Sequence, residues 1–206
     1  MPTRIIKKSK CNMPGLFPSL KNPDGIMYES TLERDYCYYL ELDPDVRFYE
    51  GQPVTLHFEI DGKKRRYTPD FLILFHNSEK KLLVEIKREQ ALIDDDGLVL
   101  KLNTVREEFK QQGYEFEVKD DIFIRAKPRL QNLKKIYKYL RYSISPDEKS
   151  TILELLKSDK KYQISEIGIE AEIADPLPKV LHLAAISDLF VDISYPIDLY
   201  SLVWQE

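Results

Sequence analysis

The sequence predicts an α/β protein: a mixed sheet flanked by helices, followed by a small C-terminal helical domain with a winged-helix-like order. Three observations carry this prediction. Residues 71–75 and 82–86 are apolar, rich in β-branched or aromatic side chains, and bounded by polar breaks, as buried strands are. Residues 54–60 alternate apolar and polar and run into Asp61-Gly62, a two-residue hairpin signal. Helical periodicity appears before the sheet, after it, and through most of the last third of the chain.

Taken in order, residues 1–24 hold prolines at 2, 14, 18 and 23 and little periodicity. They read as an extended basic arm, either a solvated tail or a segment whose Lys7, Lys8 and Lys10 lie along a phosphate backbone or a partner. Residues 28–42 read as a helix with Leu32, Tyr36, Tyr39 and Leu40 on one face, closed by Asp43-Pro44. Ser30 and Glu33 have the spacing of a capping box. Glu33 therefore has two readings, a helix cap or a carboxylate that leans toward the sheet, and Glu29 is its rival. The strand at 54–60 turns Leu56, Phe58 and Ile60 inward. Its return strand opens Lys63-Lys64-Arg65-Arg66, which suits either a phosphate grip or a charged edge that resists aggregation.

Beyond Arg88, Asp94-Asp95-Asp96 precede a helix patterned by Leu98, Leu102, Val105 and Phe109 and ended by Gly113. Acidic residues at that place favour capping and the helix dipole over metal binding. Residues 114–118 and 122–126 read as a strand pair or one interrupted strand. Helices are expected at 130–142, 146–157, 163–173 and 177–188, then strands at 190–193 and 199–203. Three helices and a hairpin suggest a winged helix. The last helix has one lysine and no arginine, which favours protein docking over DNA reading. The domain division is thus an arm at 1–24, a sheet domain at 25–127 and the C-terminal domain at 128–206.

The totals exclude several classes. No apolar run approaches the length of a membrane span, and no signal peptide is visible, so a cytoplasmic protein is expected. Two cysteines, Cys11 and Cys37, make no disulfide framework, and with three histidines they make no zinc site. Net charge is −4. Five basic and two acidic residues fall in 1–29, against 17 and 21 in 30–129 and nine and 12 in 130–206. An acidic chain is a poor stand-alone nucleic-acid binder, because such affinity comes largely from neutralising phosphates.

The polar groups at the strand ends carry the chemistry. Pro69-Asp70 opens one strand and Glu85-Ile86-Lys87 closes the next. Alternation puts Glu85 and Lys87 on one face. If the strands are neighbours, Asp70, Glu85 and Lys87 meet at one end of the sheet. Carboxylates at about 4 Å repel by roughly 4 kcal/mol at an effective dielectric of 20, so such a cluster anticipates a cation.

Residues 28–87 resemble the TnsA family, the endonuclease subunit of heteromeric cut-and-paste bacterial transposases. The resemblance lies in Glu29-Ser30-Thr31-Leu32-Glu33-Arg34-Asp35, Leu40-Glu41-Leu42-Asp43-Pro44-Asp45-Val46, Gln52-Pro53, Tyr67-Thr68-Pro69-Asp70-Phe71-Leu72 and Val84-Glu85-Ile86-Lys87. It implies a restriction-endonuclease-like fold of the PD-(D/E)xK type. It implies catalytic residues Glu33, Asp70, Glu85 and Lys87. Glu33, Asp70 and Glu85 would be ligands to Mg²⁺, with Mn²⁺ as a substitute. Lys87 would orient water or support charge. The implied partners are double-stranded DNA at transposon ends, a TnsB-like DDE transposase that cuts and joins the 3′ ends, and a TnsC-like AAA+ ATPase. The chain itself would nick the 5′ ends. Rival expectations are a stand-alone restriction or repair nuclease of the same fold, and a non-catalytic adaptor between transposase and ATPase.

Overall fold

The computed structural model describes residues 13–60, 62–157 and 160–205. The chain divides into two compact units, Met1–Arg125 and Ala126–Glu206. Among the described residues no helix is long and apolar enough to cross a membrane.

In the first unit, β1 (Gly15–Phe17) pairs antiparallel with β2 (Ile26–Tyr28). The helix α1 (Thr31–Leu42) follows, then β3 (Val46–Gly51). The hairpin β4 (Leu56–Ile60) and β5 (Lys63–Tyr67) comes next, then β6 (Phe71–Phe75) and β7 (Lys81–Lys87). Two helices, α2 (Glu89–Asp94) and α3 (Asp96–Gln111), lead to β8 (Glu115–Asp120) and the short α4 (Asp121–Ile124). The central sheet has four strands in the order β3-β6-β7-β8. The β3–β6 and β6–β7 pairs are antiparallel; β7–β8 is parallel, which requires the crossover that α2 and α3 supply.

Helices cover the sheet. On one side the α1 residue Tyr36 meets Phe71 edge to face at 5.5 Å. On the other, Leu102, Val105 and Phe109 of α3 share a core with Leu83, Phe116 and the hairpin residues Leu56, Phe58 and Tyr67. The periodic stripe expected on α3 is therefore its buried face. Asp95 accepts from the Leu98 N–H at its N-terminus, so one of the three aspartates is a cap. The β4–β5 register pairs Ile60 with Lys63, and Gly62 has φ +70°, as the two-residue hairpin requires. Asp61 and the side chain of Ile60 lie outside the described residues, as do Lys7, Lys8, Lys10 and Cys11.

Two expectations are corrected. The arm at 1–24 is not an extended segment over its described part. Asn22-Pro23-Asp24-Gly25 makes a turn, with the Gly25 N–H donating to the Asn22 carbonyl at 3.0 Å and Gly25 at φ +70°. The turn folds β1 onto β2 and buries Phe17. Before the turn, Ser19 Oγ and the Leu20 N–H donate to the buried Glu41 carboxylate of α1, at 2.6 and 2.7 Å. The Lys21 ammonium donates to the Leu40 carbonyl at 2.8 Å and also reaches the Asp43 carbonyl, closing the C-terminus of α1. The second correction is at 122–126, which is not a strand. The Asp120 carboxylate accepts from the Phe123 N–H at 2.8 Å and starts α4, and Tyr39 Oη donates to the Ile124 carbonyl at 2.9 Å. A cap and a tertiary bond override the β-propensity of Ile122-Phe123-Ile124.

The second unit runs α5 (Arg129–Tyr137), α6 (Pro146–Leu156), β9 (Tyr162–Gln163), α7 (Ile164–Glu170), α8 (Pro176–Ala185), β10 (Phe190–Val191) and β11 (Leu202–Trp204). Its three-stranded antiparallel sheet has the order β10-β11-β9, so β9 adds a strand where only helix was expected. Ser145 and Glu148 form the capping box of α6, with Pro146 in the first turn. The 193–197 segment is held by the buried Asn132 of α5, whose amide donates to the carbonyls of Ile193 (3.0 Å) and Tyr195 (2.6 Å) and accepts from the Ile197 N–H (3.1 Å). Asn132→Ala should destabilise this unit by about 2–3 kcal/mol, because it removes the amide that serves the Ile193 and Tyr195 carbonyls and the Ile197 N–H at once. Urea denaturation checks this. A loss below about 0.5 kcal/mol would mean water replaces the amide.

Candidate active site

The site begins as a register. Phe71 pairs with Val84, so Asp70, just before β6, stands beside Glu85 of β7. Asp70 Oδ2 accepts from the Ile86 N–H at 2.7 Å, an edge position where the ladder has no further strand residue to offer. Lys87 lies two residues past Glu85, on the same face. Its ammonium bonds Glu85 Oε1 directly and the Ile86 carbonyl at 3.2 Å. Glu85 is buried, at 5 % exposure, while Lys87 is half-buried.

Glu33 arrives from the first turn of α1. Its N–H donates to Ser30 Oγ at 3.1 Å. Its carboxylate accepts from Ser30 Oγ and from the Glu29 N–H, both at 2.7 Å. Glu33 is thus a cap of α1 that also lines the cavity with Asp70, Glu85 and Lys87. Glu29, the rival, lines it as well and accepts from Gln52 Nε2 at 2.8 Å. The Gln52 N–H donates to the Asp70 carbonyl at 2.9 Å, with Gln52 at φ 51°, so the end of β3 braces the segment before β6. The cavity has a volume of about 520 Å³.

Negative charge dominates this space. Burial, then the charges of Glu85 and Glu33, hold the Asp70 carboxyl well above the ordinary range, against the pull of Lys87 and the Ile86 N–H. Burial raises Glu33 too, opposed by its bonds to Glu29 and Ser30 and reinforced by the charges of Glu29 and Glu85. Burial alone would lower Lys87, but Glu85 and Asp70 outweigh it and the ammonium is held above its usual value. Glu85 Oε2 and the Tyr67 hydroxyl are both buried without a hydrogen bond of normal geometry, and the Tyr67 proton is held more tightly by burial, by the Glu85 charge and by the approach of the hydroxyl to that carboxylate.

Among the described residues no three His, Cys, Asp or Glu side chains are gathered tightly enough to hold a metal ion by themselves. The three-carboxylate cage expected from the sequence is therefore not preformed, and the bonds to Ser30 and Glu29 account for both oxygens of Glu33. Asp70 and Glu85 nonetheless fit a hard divalent cation. They are oxygen donors, their charge exceeds what one lysine balances, and Glu85 Oε2 is a buried lone-pair donor with only the Tyr67 hydroxyl approaching the carboxylate. The cavity also takes side chains that the strand-end pattern does not announce: Thr55, Arg66, Tyr67 and Thr68 from the hairpin region and Lys101 from α3. The signal for Lys101 is its place next to Leu102, at the border of the buried stripe of α3.

No curated protein matches the chain in sequence. Residues 43–121 match the family model described as the TnsA-like endonuclease N-terminal domain. The match starts after α1, so it contains Asp70, Glu85 and Lys87 but not Glu33. It spans the whole of the central sheet, so the likeness to TnsA-like endonucleases lies in the part of the chain that carries the strand-end carboxylates.

Proposed function

We propose that the chain is the DNA-cutting subunit of a transposon, hydrolysing phosphodiester bonds at the 5′ ends of the element with Mg²⁺. It acts beside a TnsB-like DDE transposase and a TnsC-like AAA+ ATPase. One observation carries the reading: inside the matched domain, two carboxylates and an ammonium from adjacent strands share the end of one sheet. Asp70 and Glu85 would hold the cation, with Glu33 a further carboxylate on the same cavity. Bound there, Mg²⁺ would supply an activated water and neutralise charge on the phosphate. Lys87 keeps its proton, given the direction in which its neighbours push it. Its part is to donate to the attacking water or to a phosphate oxygen, not to remove a proton. The mixed sheet with helices on both faces supports a restriction-endonuclease-like fold.

For the second unit the order α6, β9, α7, α8, β10, β11 supports a winged-helix-like domain. The α8 sequence Pro-Leu-Pro-Lys-Val-Leu-His-Leu-Ala-Ala has one lysine and no arginine. That favours a protein partner over a DNA groove as its ligand.

The decisive assay uses duplex DNA with element ends, the full chain, the transposase and the ATPase, with Mg²⁺ or with EDTA. Cuts at the 5′ ends that need Mg²⁺ and the partners are the expected result. Cutting by the chain alone would favour a stand-alone nuclease, and no cutting under any condition would leave an adaptor. Lys87→Gln should slow cutting about 100-fold, in line with loss of one donor to developing charge, with DNA binding in the complex unchanged.

A further inference from the structure

Four carboxylates line the cavity, from Glu29, Glu33, Asp70 and Glu85. A nucleic-acid strand is a polyanion, and like charges this close in a half-buried site repel it unless cations stand beside them. Lys87 cannot offset this alone, since its ammonium is already paired with Glu85. The same cavity takes two more cations, Arg66 from β5 and Lys101 from α3. Among the described residues neither makes a salt bridge.

We infer that Arg66 and Lys101 form a phosphate seat on the basic side of this cavity, and that they position the strand whose phosphodiester meets Asp70 and Glu85. The inference rests on the nuclease reading above. Three features support it. The Lys101 ammonium is stationed 4.9 Å from the centroid of the Tyr67 ring. Such a contact holds the side chain in place and leaves its remaining N–H groups free to donate. Tyr67 itself is 7 % exposed, lines the same cavity and approaches the Glu85 carboxylate with its hydroxyl, so one residue links the cation to the carboxylate end. Finally, Thr55 and Thr68, hydrogen-bonded to each other at 2.8 Å, leave one hydroxyl proton to donate from the strand ends that flank Arg66. Arginine and lysine are the side chains that grip phosphate, by fork and by point charge respectively. A charged edge strand accounts for Lys63, Lys64 and Arg65 as well as it does for Arg66. It does not account for Lys101, which comes from a helix.

The test compares Lys101→Met, which keeps the stem over Tyr67, and Arg66→Met with Lys64→Met, a hairpin cation that does not line the cavity. Binding of the full chain to a labelled DNA duplex is followed by anisotropy over a salt series starting at low ionic strength. Lys101→Met and Arg66→Met should each reduce the slope of log K against log salt by about one, the signature of one lost phosphate contact. In the reconstituted cutting assay each should raise KM about tenfold with kcat within about threefold. Lys101→Arg should restore binding, and Lys64→Met should leave slope and KM as in the wild type. The seat is overturned by unchanged slopes and KM in both variants, by an equal effect of Lys64→Met, or by no binding of the wild type at low salt. If the wild type cuts while both variants match it, the seat fails and the nuclease reading stands. If nothing cuts but the slopes change as stated, the nuclease reading fails and the seat stands.

Discussion

Asp70→Asn is expected to abolish strand cutting, by about 1,000-fold or more, while leaving the fold intact and stabilising the metal-free protein. A loss of that size corresponds to about 4 kcal/mol of transition-state stabilisation, within what removal of a metal-holding carboxylate withdraws. The amide oxygen can still accept from the Ile86 N–H, so the edge of the sheet keeps its bond. What disappears is a negative charge that burial, Glu85 and Glu33 all disfavour. The sign of the pH effect follows. The folded-state pKa of Asp70 lies above the unfolded value, so between the two the native state binds more protons. Stability therefore falls as pH rises through that window. The amide has no proton to lose there. In EDTA, the wild-type melting temperature should fall more steeply than that of Asp70→Asn as pH rises from about the ordinary carboxylate pKa of 3.9. Added Mg²⁺ should then raise the melting temperature of the wild type and not of the variant. Wild-type cutting rates in the variant would remove Asp70 from the chemistry.

Glu41→Ala should be the most damaging single change in the first unit away from the site. Glu41 is 3 % exposed and accepts from Ser19 Oγ, the Leu20 N–H and Tyr49 Oη at 2.6, 2.7 and 2.8 Å. Three bonds to a carboxylate, at roughly 1.5 kcal/mol each, place the loss near 4.5 kcal/mol. Part of that cost is the buried Tyr49 hydroxyl left without an acceptor. Lys21 compounds it. Burial already lowers its pKa to about 8, against the charges of Glu41, Asp43 and Asp45. Removing Glu41 lowers it further and weakens the cap on α1 near neutral pH. Urea denaturation with backbone exchange on residues 19–22 reads both effects. A loss below about 1 kcal/mol would show that water satisfies these donors.

Legibility in the sequence followed the range of the interaction. The strands at 71–75 and 82–86, the α3 stripe and the 61–62 hairpin rest on local pattern, and each has its counterpart in the structure. The juxtaposition of Asp70 with Glu85 was legible because strand alternation and one short connection leave few alternatives. The described part of the 1–24 arm carries no strand signal because β1 and its partner β2 have three residues each, too short for a periodic pattern. Its readable feature was Asn22-Pro23-Asp24-Gly25, a type I turn sequence with Pro second and Gly fourth. The α4 helix was hidden because Ile122-Phe123-Ile124 favours strand locally, and the Tyr39 bond that stabilises the turn is 85 residues away in sequence. Lys101 went unnoticed because a lysine beside an apolar stripe ordinarily does no more than snorkel to solvent.

The β6–β7 pairing is also a ruler. A slip of one residue along β7 would turn Glu85 and Lys87 to the opposite face, and a slip of two would carry them about 7 Å along the strand. Neither is open to the chain, because Leu82, Leu83, Val84 and Ile86 are all buried and each would have to find a new place. The spacing of Asp70, Glu85 and Lys87 at the end of the sheet is therefore enforced by the hydrocarbon side chains packed around them.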